Sequence, residues 1–203
     1  MSEGEGTRGA VGKLLYTAVV TTFCIFLAGW ALLAHQGASQ SAKKSGTDEQ
    51  FAKKAAQGGM AEVKMGELAQ EKGTNEAVKK FGQRMTQDHT KAGDELKQAA
   101  TKENITLPAD LDAKDQATYV SLSKLSGSAF DRAYARDMVK DHEQDVAEFM
   151  HEASSGKNAS IKSFAEQTLP TLEDHLKEAR EMMQSISGPS GKSKSLTGSS
   201  QPR

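Results

Sequence analysis

The sequence has very little cysteine, few aromatic residues and almost no net charge. Its single cysteine, Cys24, lies in an apolar stretch near the N-terminus, so the chain beyond that stretch has no thiol for a disulfide, a nucleophile or a zinc knuckle. Aromatic residues make up 5% of the chain, and Val and Ile are too thinly spread to favour a sheet. The formal net charge of −1, without a basic stripe interleaved with aromatics, gives no reason to expect nucleic acid as a partner.

One segment, Leu14–Ala34, is long, apolar and free of charged residues. As an α-helix it would be about 31 Å long, which matches the hydrocarbon core of a bilayer. Tyr16 and Trp30 stand near its ends, where amphipathic rings prefer to lie. A cleaved signal peptide is the alternative, but its apolar region is usually shorter. The segment is therefore predicted to be an uncleaved membrane anchor.

Orientation does not follow from the basic residues, because Lys and Arg occur on both sides of the segment. A short N-terminus followed by one apolar segment and a large domain usually exports the domain. We therefore expect residues 1–13 in the cytoplasm and a single-pass inner-membrane protein with its main domain on the periplasmic side. The membrane is the one partner that the sequence indicates, and nothing in it points to a particular protein partner.

The rest of the chain divides by composition. Residues 35–47 form a polar linker rich in Gly, Ser and Lys, and residues 187–203 have the composition of a disordered tail. Between them, residues 48–186 are rich in Ala, Lys, Glu, Gln and Met, which is typical of helices.

Apolar periodicity in this domain predicts an all-α antiparallel four-helix bundle with one short extra helix. The predicted long helices cover 48–72, 74–104, 128–154 and 158–186, and the short one covers 112–126. Ser128 is the expected N-cap of the third long helix. Pro170 is expected to kink or split the last helix. The pair Gly58-Gly59 indicates either a close approach of another helix or a local kink.

Three Asp-His pairs recur on the predicted helices, and each histidine falls on the inward stripe. Met85 precedes His89, Met138 precedes His142, and Leu172 precedes His175, each by about one helical turn. The first helix places Glu62 on its own inward stripe. Counting residues from the connections brings Glu62 within about 7 Å of the level of His89, and His142 within about 7 Å of the level of His175.

Two interpretations of this set are open. Three imidazoles and one carboxylate can form the ligand set of zinc, iron or copper, so Glu62, His89, His142 and His175 are candidate metal ligands. The methionines before the first two histidines would suit copper(I), although a methionine there usually fills the core. The same four residues can instead form a structural polar cluster that fixes the helix register. Asp88, Asp141 and Asp174 lie about 100° further round, so they are expected to be exposed or to support a ligand instead of binding the metal, and solvation or a salt bridge is their simplest role.

Four motifs resemble a known family. They are QFAKKAAQGGMAEVKMGELA, VKKFGQRMTQDH, SAFDRAYARDMVKDHEQDVAEF and KSFAEQTLPTLEDHL, in the four long helices in that order. Together, from about Phe51 to Met183, they resemble the bacterial ferritin-like family catalogued as domain of unknown function 4142. The resemblance implies a ferritin-like bundle in exported or outer-membrane proteins, and it implies no activity.

The sequence gives little support for an enzymatic function. Di-iron bundles carry Glu-x-x-His motifs, whereas Thr86, Val139 and Leu172 stand three residues before the histidines, so ferroxidase chemistry is disfavoured. No phosphate loop, nucleotide fingerprint or hydrolase triad is present. The sequence favours a non-enzymatic interaction or stress-related module in the cell envelope. The alternative is a metal- or cofactor-binding protein that uses the Glu/His cluster.

Overall fold

The computed structural model describes residues 47–187, which contain five helices and no strand. The helices are α1 (47–72), α2 (Glu76–Lys102), α3 (Ala113–Ser123), α4 (Gly127–Ser155) and α5 (Ala159–Ser187). None of these helices is long and apolar enough to cross a membrane. The predicted anchor, Leu14–Ala34, lies outside the described residues, as do residues 1–13, nearly all of the linker and the tail beyond Ser187.

Three predicted details differ from the structure. The short helix ends at Ser123 instead of 126. The N-cap of α4 is Ser126, not Ser128, because Gly127, at φ 58°, already belongs to the helix. Of the two outcomes predicted for Pro170, the split does not occur, because α5 is helical on both sides of it. The proline ring is exposed, and buried residues before and after it hold the helix against the bundle.

Two aspartates form hydrogen bonds between the ends of different helices, and these contacts show in which direction each helix runs. Asp48, at the start of α1, accepts hydrogen bonds from the backbone N–H groups of Lys157 (2.7 Å) and Asn158 (2.5 Å), just before α5. Asp131, the fifth residue of α4, accepts from the backbone N–H groups of Thr74 and Asn75, each at 3.0 Å. Both contacts place a carboxylate where helix ends leave backbone donors unpaired.

These contacts define two ends of the bundle. One end holds the start of α1 and the α4–α5 connection, and the other holds the α1–α2 connection and the start of α4. Helices α2 and α4 therefore run in the same direction, and α1 and α5 run in the opposite one. The long connection 103–126, which contains α3, takes the chain from the end of α2 back to the start of α4.

The backbones of helices α1 and α2 lie close together at Gly66 and Gly82. A Cβ atom added at Gly66 would lie 2.6 Å from the Gly82 carbonyl oxygen, and one added at Gly82 would lie 2.7 Å from the Gly66 carbonyl oxygen. The prediction of a close helix approach at Gly58-Gly59 was wrong, since a Cβ at Gly58 would meet nothing within 4 Å. Helix α1 also continues through that pair.

The core consists of two apolar clusters. The upper cluster, near the α1–α2 connection, is built around Met65, Phe81, Phe130 and Tyr134. The lower cluster, near the α4–α5 connection, is built around Phe51, Leu96, Phe149 and Phe164. On α2, α4 and α5, a single buried histidine separates the members of one cluster from those of the other, and buried Glu62 of α1 lies at the same level, next to Ala61 of the upper cluster. A polar layer thus crosses the middle of the bundle.

Candidate metal centre

The polar layer is made of the four residues that the sequence singled out. Glu62 of α1, His89 of α2, His142 of α4 and His175 of α5 have between 0% and 7% of their surface exposed. The ring centroids of the three histidines lie 5.3–5.8 Å apart. The structure therefore brings the predicted residues together at one level.

Glu62 connects α1 to two of the histidines. Its Oε2 atom lies 2.9 Å from Nδ1 of His89. Its Oε1 atom lies 3.4 Å from Nε2 of His142 and has no hydrogen-bond partner. One carboxylate oxygen, Oε2, thus contacts His89, and the other, Oε1, is available for a further contact.

The other two rings are oriented by groups outside the predicted set. Nδ1 of His142 is 2.9 Å from the backbone carbonyl oxygen of Met138, and Nε2 of His175 is 2.8 Å from Oδ2 of Asp88. A carbonyl or carboxylate oxygen only accepts, so each of these ring nitrogens is the donor. The opposite nitrogen of each neutral ring then carries a lone pair.

One nitrogen of each ring is left without a partner: Nε2 of His89, Nε2 of His142 and Nδ1 of His175. A buried polar atom without a partner is costly, and three in one layer are unusual. The three rings can each offer one nitrogen such that all three atoms lie within 4.8 Å of one another. Metal–nitrogen bonds of about 2.0–2.1 Å require such atoms to be about 3.3–3.6 Å apart, so the rings would draw in by about 1 Å to bind one ion.

The charges of the layer are unequally distributed. Burial alone would raise the pKa of Glu62, but the nearby histidines, His89 first, lower it to about 2, so the carboxylate is ionised. For His89, the charge and hydrogen bond of Glu62 outweigh burial and raise the pKa. Burial lowers the pKa of His142 and lowers that of His175 to about 4, despite the Asp88 hydrogen bond. The metal-free layer therefore favours a Glu62–His89 ion pair beside two neutral imidazoles.

The upper cluster closes one side of this layer. The ring centroid of Phe81 lies 6.0 Å from that of His142 and 6.3 Å from that of His175, both edge to face. Met85 and Met138, which the sequence offered as companions of a soft metal, are fully buried in the same cluster.

The sequence predicted that the neighbouring aspartates are exposed or support a ligand, with solvation or a salt bridge as their simplest role. Asp141 does pair with Lys114 at 3.6 Å, and Asp174 is exposed. Asp88 has a further role, because it bridges Arg84 (3.1 Å) on its own helix and His175 on α5. The Asp-His repeat alone does not reveal that the aspartate of one pair orients the histidine of another.

The fold and the layer define an all-helical bundle with a buried three-histidine centre. The sequence model of the family described as Domain of unknown function (DUF4142) matches residues 33–182, and the chain belongs to this family. No curated protein matches the sequence.

Two solved structures resemble the chain. One is a DUF305 fragment from Deinococcus radiodurans, with a TM-score of 0.60 and 12% identity, covering 68% of this chain and 96% of the fragment. The other is CopM in its Cu(I)-bound form, with a TM-score of 0.58 and 16% identity, covering 70% of this chain and 98% of CopM. At these identities the likeness shows a common fold.

Proposed function

We propose that this protein binds one transition-metal ion through His89, His142 and His175, and that copper(I) is the first candidate. The observation that carries the proposal is the set of three buried ring nitrogens without partners, supplied by three different helices. In each ring the other nitrogen already contacts a carboxylate or a backbone carbonyl. Metal-ligating histidines in proteins are held in this way.

Copper(I) suits the centre for two reasons. Imidazole is a good copper ligand, and three donors in a dry site suffice for this ion. In addition, CopM, which shares the fold, is known in a Cu(I)-bound form. Zinc is the second candidate, because a tetrahedral site needs a fourth ligand and Oε1 of Glu62 lies beside His142 without a partner.

The residues around the three ligands would set the protonation state and the orientation of the histidine rings. Binding an ion at His89 requires a neutral ring, so the proton favoured by Glu62 must leave when the metal enters. Glu62 keeps its hydrogen bond to Nδ1 and its negative charge, which offsets the charge of the ion. Asp88 and the Met138 carbonyl hold the other two rings in the tautomers that ligation needs.

The arrangement supports metal storage or transfer rather than oxidation chemistry. Two antiparallel helix pairs joined by one long connection are the topology of ferritin-like bundles, and we assign the protein to that class. Di-iron sites of that class need bridging glutamates, and Glu62 is the only acid in the layer. We retain the proposal that the bundle is anchored in the inner membrane and works outside the cytoplasm, as a non-enzymatic module of the cell envelope.

The test uses the full-length protein purified without an affinity tag and stripped of metal with a chelator. It is dialysed anaerobically against Cu(I) or against Zn(II), and the retained metal is measured by elemental analysis. We expect one ion per chain, and a loss of at least tenfold in retained metal for His142→Ala and for His175→Gln. Helical content measured by circular dichroism checks that each variant is folded.

The matched control is His151→Ala, which removes an exposed histidine near the end of α4. It should retain the metal like the wild type. Failure of the wild type to retain either ion would contradict the proposal, and so would an equal loss in the control.

A structural layer that fixes the helix register is the second candidate function. It is favoured by the fact that each ring already has one partner in the chain. On either function, His142→Ala should lower the free energy of unfolding of the metal-free protein by about 1–3 kcal/mol, because buried partners lose their contacts. Chemical denaturation measures this directly. If metal retention fails while this loss is observed, the structural function stands.

A further inference from the structure

A large cleft lies between α1 and α2, below the polar layer. Its volume is about 780 Å³, within the range of about 300–1,000 Å³ that small-molecule sites occupy. It reaches from His89 to Thr101 along α2, a distance of about 18 Å. The connection after α2 lines it through Ile105 and Leu107, and the lower apolar cluster forms its inner wall. The cleft is thus long, narrow and mainly apolar.

Three helical glycines line this cleft, and no atom in the described part of the chain comes close enough to exclude a side chain there. A Cβ atom at Gly58 or Gly93 would meet nothing within 4 Å, and one at Gly59 would make only an ordinary contact of 3.9 Å with Nδ1 of His89. Glycine lowers helix stability relative to alanine. The contrast with Gly66 and Gly82, where a Cβ would collide with backbone, is clear. Glycine is the usual residue where a backbone lies directly against a ligand.

Two buried groups in the lining of the cleft have no hydrogen-bond partner. Thr168 is 8% exposed, lines the cleft and has no partner for its hydroxyl. Glu62 also lines the cleft, and its Oε1 atom has no partner either. A carboxylate repels an acid and accepts from a hydroxyl. Of the other charged residues that line the cleft, the exposed Lys64 and Lys97 are matched by the exposed Glu67 and Asp94, and Asp145 is a further acid, so the lining offers no net positive charge to an anion.

We infer that the cleft binds an uncharged, elongated apolar molecule that carries a hydroxyl group at its inner end. The chain of the ligand lies against Gly58, Gly59 and Gly93 and over the lower apolar cluster. Its hydroxyl donates to Oε1 of Glu62 or exchanges a hydrogen bond with Thr168. Long-chain alcohols and alkylphenols have this chemistry. The site does not depend on a bound metal, although it adjoins the polar layer.

The experiment follows the fluorescence of 1-aminoanthracene, an uncharged probe of apolar cavities, with the full-length protein treated with a chelator. The probe is then displaced by dodecanol, by dodecane or by dodecanoate. We expect dodecanol to displace it with an affinity at least tenfold higher than that of either competitor. A preference for dodecanoate, or the absence of any displacement, would overturn the inference.

Two variants place a side chain in the cleft from positions where an added Cβ atom meets nothing within 4 Å. Gly58→Leu and Gly93→Leu should each weaken binding of the probe at least fivefold while the helical content is kept. The control, Ala147→Leu, adds the same side chain bulk to an exposed position of α4 outside the cleft and should bind like the wild type. Equal binding by all three variants would overturn the site.

The same measurements separate this inference from the metal proposal. His142→Ala removes a proposed metal ligand that does not line the cleft and should leave displacement by dodecanol within twofold of the wild type. Gly93→Leu should leave metal retention unchanged. A protein that binds dodecanol without retaining metal would disprove only the metal centre.

Discussion

Glu152 is the buried acid of the lower end of the bundle. It is 4% exposed, and its Oε1 atom has no hydrogen-bond partner. Burial, together with the negative charge of Asp48, raises its pKa from 4.5 to about 7, while Lys162 opposes the shift. The folded state therefore holds a proton that the unfolded state releases at a lower pH.

This shift gives a direction for the pH dependence of stability. The contribution of Glu152 is complete below about pH 4.5 and is lost as the pH rises through about 7. We expect the free energy of unfolding of the metal-free wild-type protein to fall over this window relative to that of Glu152→Gln, which cannot ionise. Urea unfolding at a series of pH values measures the difference. Glu166→Gln, at an exposed position of α5, is the control, and identical pH profiles for both variants would contradict the expectation.

Asp88 shows how one residue orients another across a helix interface. Because its carboxylate holds the Nε2–H group of His175, Asp88→Ala should weaken Cu(I) binding by about 10- to 100-fold without removing a ligand. Competition with a chromophoric Cu(I) chelator measures the affinity.

The matched control for Asp88 is Glu178→Ala. Glu178 pairs with Arg84, which also pairs with Asp88, but it does not contact His175. Its removal should leave the affinity for Cu(I) nearly unchanged. An equal effect in both variants would show that the surface charge, not the orientation of the ring, matters.

At the scale of the helices, glycine has different packing environments in the two halves of the α1–α2 pair. At Gly66 the backbones are so close that a Cβ would lie 2.6 Å from the Gly82 carbonyl oxygen, and the helices must separate to admit it. At Gly93 the space beyond Cα is open. The upper half of the pair is thus closely packed, and the lower half is held open as a cleft.

Alanine substitutions at Gly66 and Gly93 should therefore change the free energy of unfolding in opposite directions. We expect Gly66→Ala to lower the free energy of unfolding by about 1–3 kcal/mol through overpacking. Gly93→Ala should raise it by about 0.5–1 kcal/mol, since alanine favours the helix and meets no atom. Urea denaturation of the two variants measures both effects, and stabilisation by Gly66→Ala would contradict the packing at this crossing.

For the whole molecule, the prediction with the largest consequence concerns the membrane. If residues 14–34 anchor the protein, alkaline carbonate should leave it in the membrane fraction, because the apolar helix lies within the hydrocarbon core. An alkaline phosphatase fused at the C-terminus should be active, since that enzyme works only outside the cytoplasm. Release of the intact protein by carbonate would contradict anchoring, and an inactive fusion would contradict export.

The sequence by itself determined the helical class, the approximate helix bounds and the inward position of Glu62, His89, His142 and His175. Each of these follows from periodicity along a single helix, where residues three and four apart share a face. Positions that depend on local caps were less certain, as the start of α4 at Gly127 shows.

Only the tertiary structure decided how the helices meet. It placed a close backbone approach at Gly66 and Gly82 and none at Gly58, and it left an open cleft beside Gly58. It also turned the rings so that Asp88 holds His175 and a backbone carbonyl holds His142, which leaves three nitrogens without partners. Periodicity records which face a residue occupies, whereas the depth, rotation and separation of neighbouring helices depend on how side chains from all of them fill the space between them.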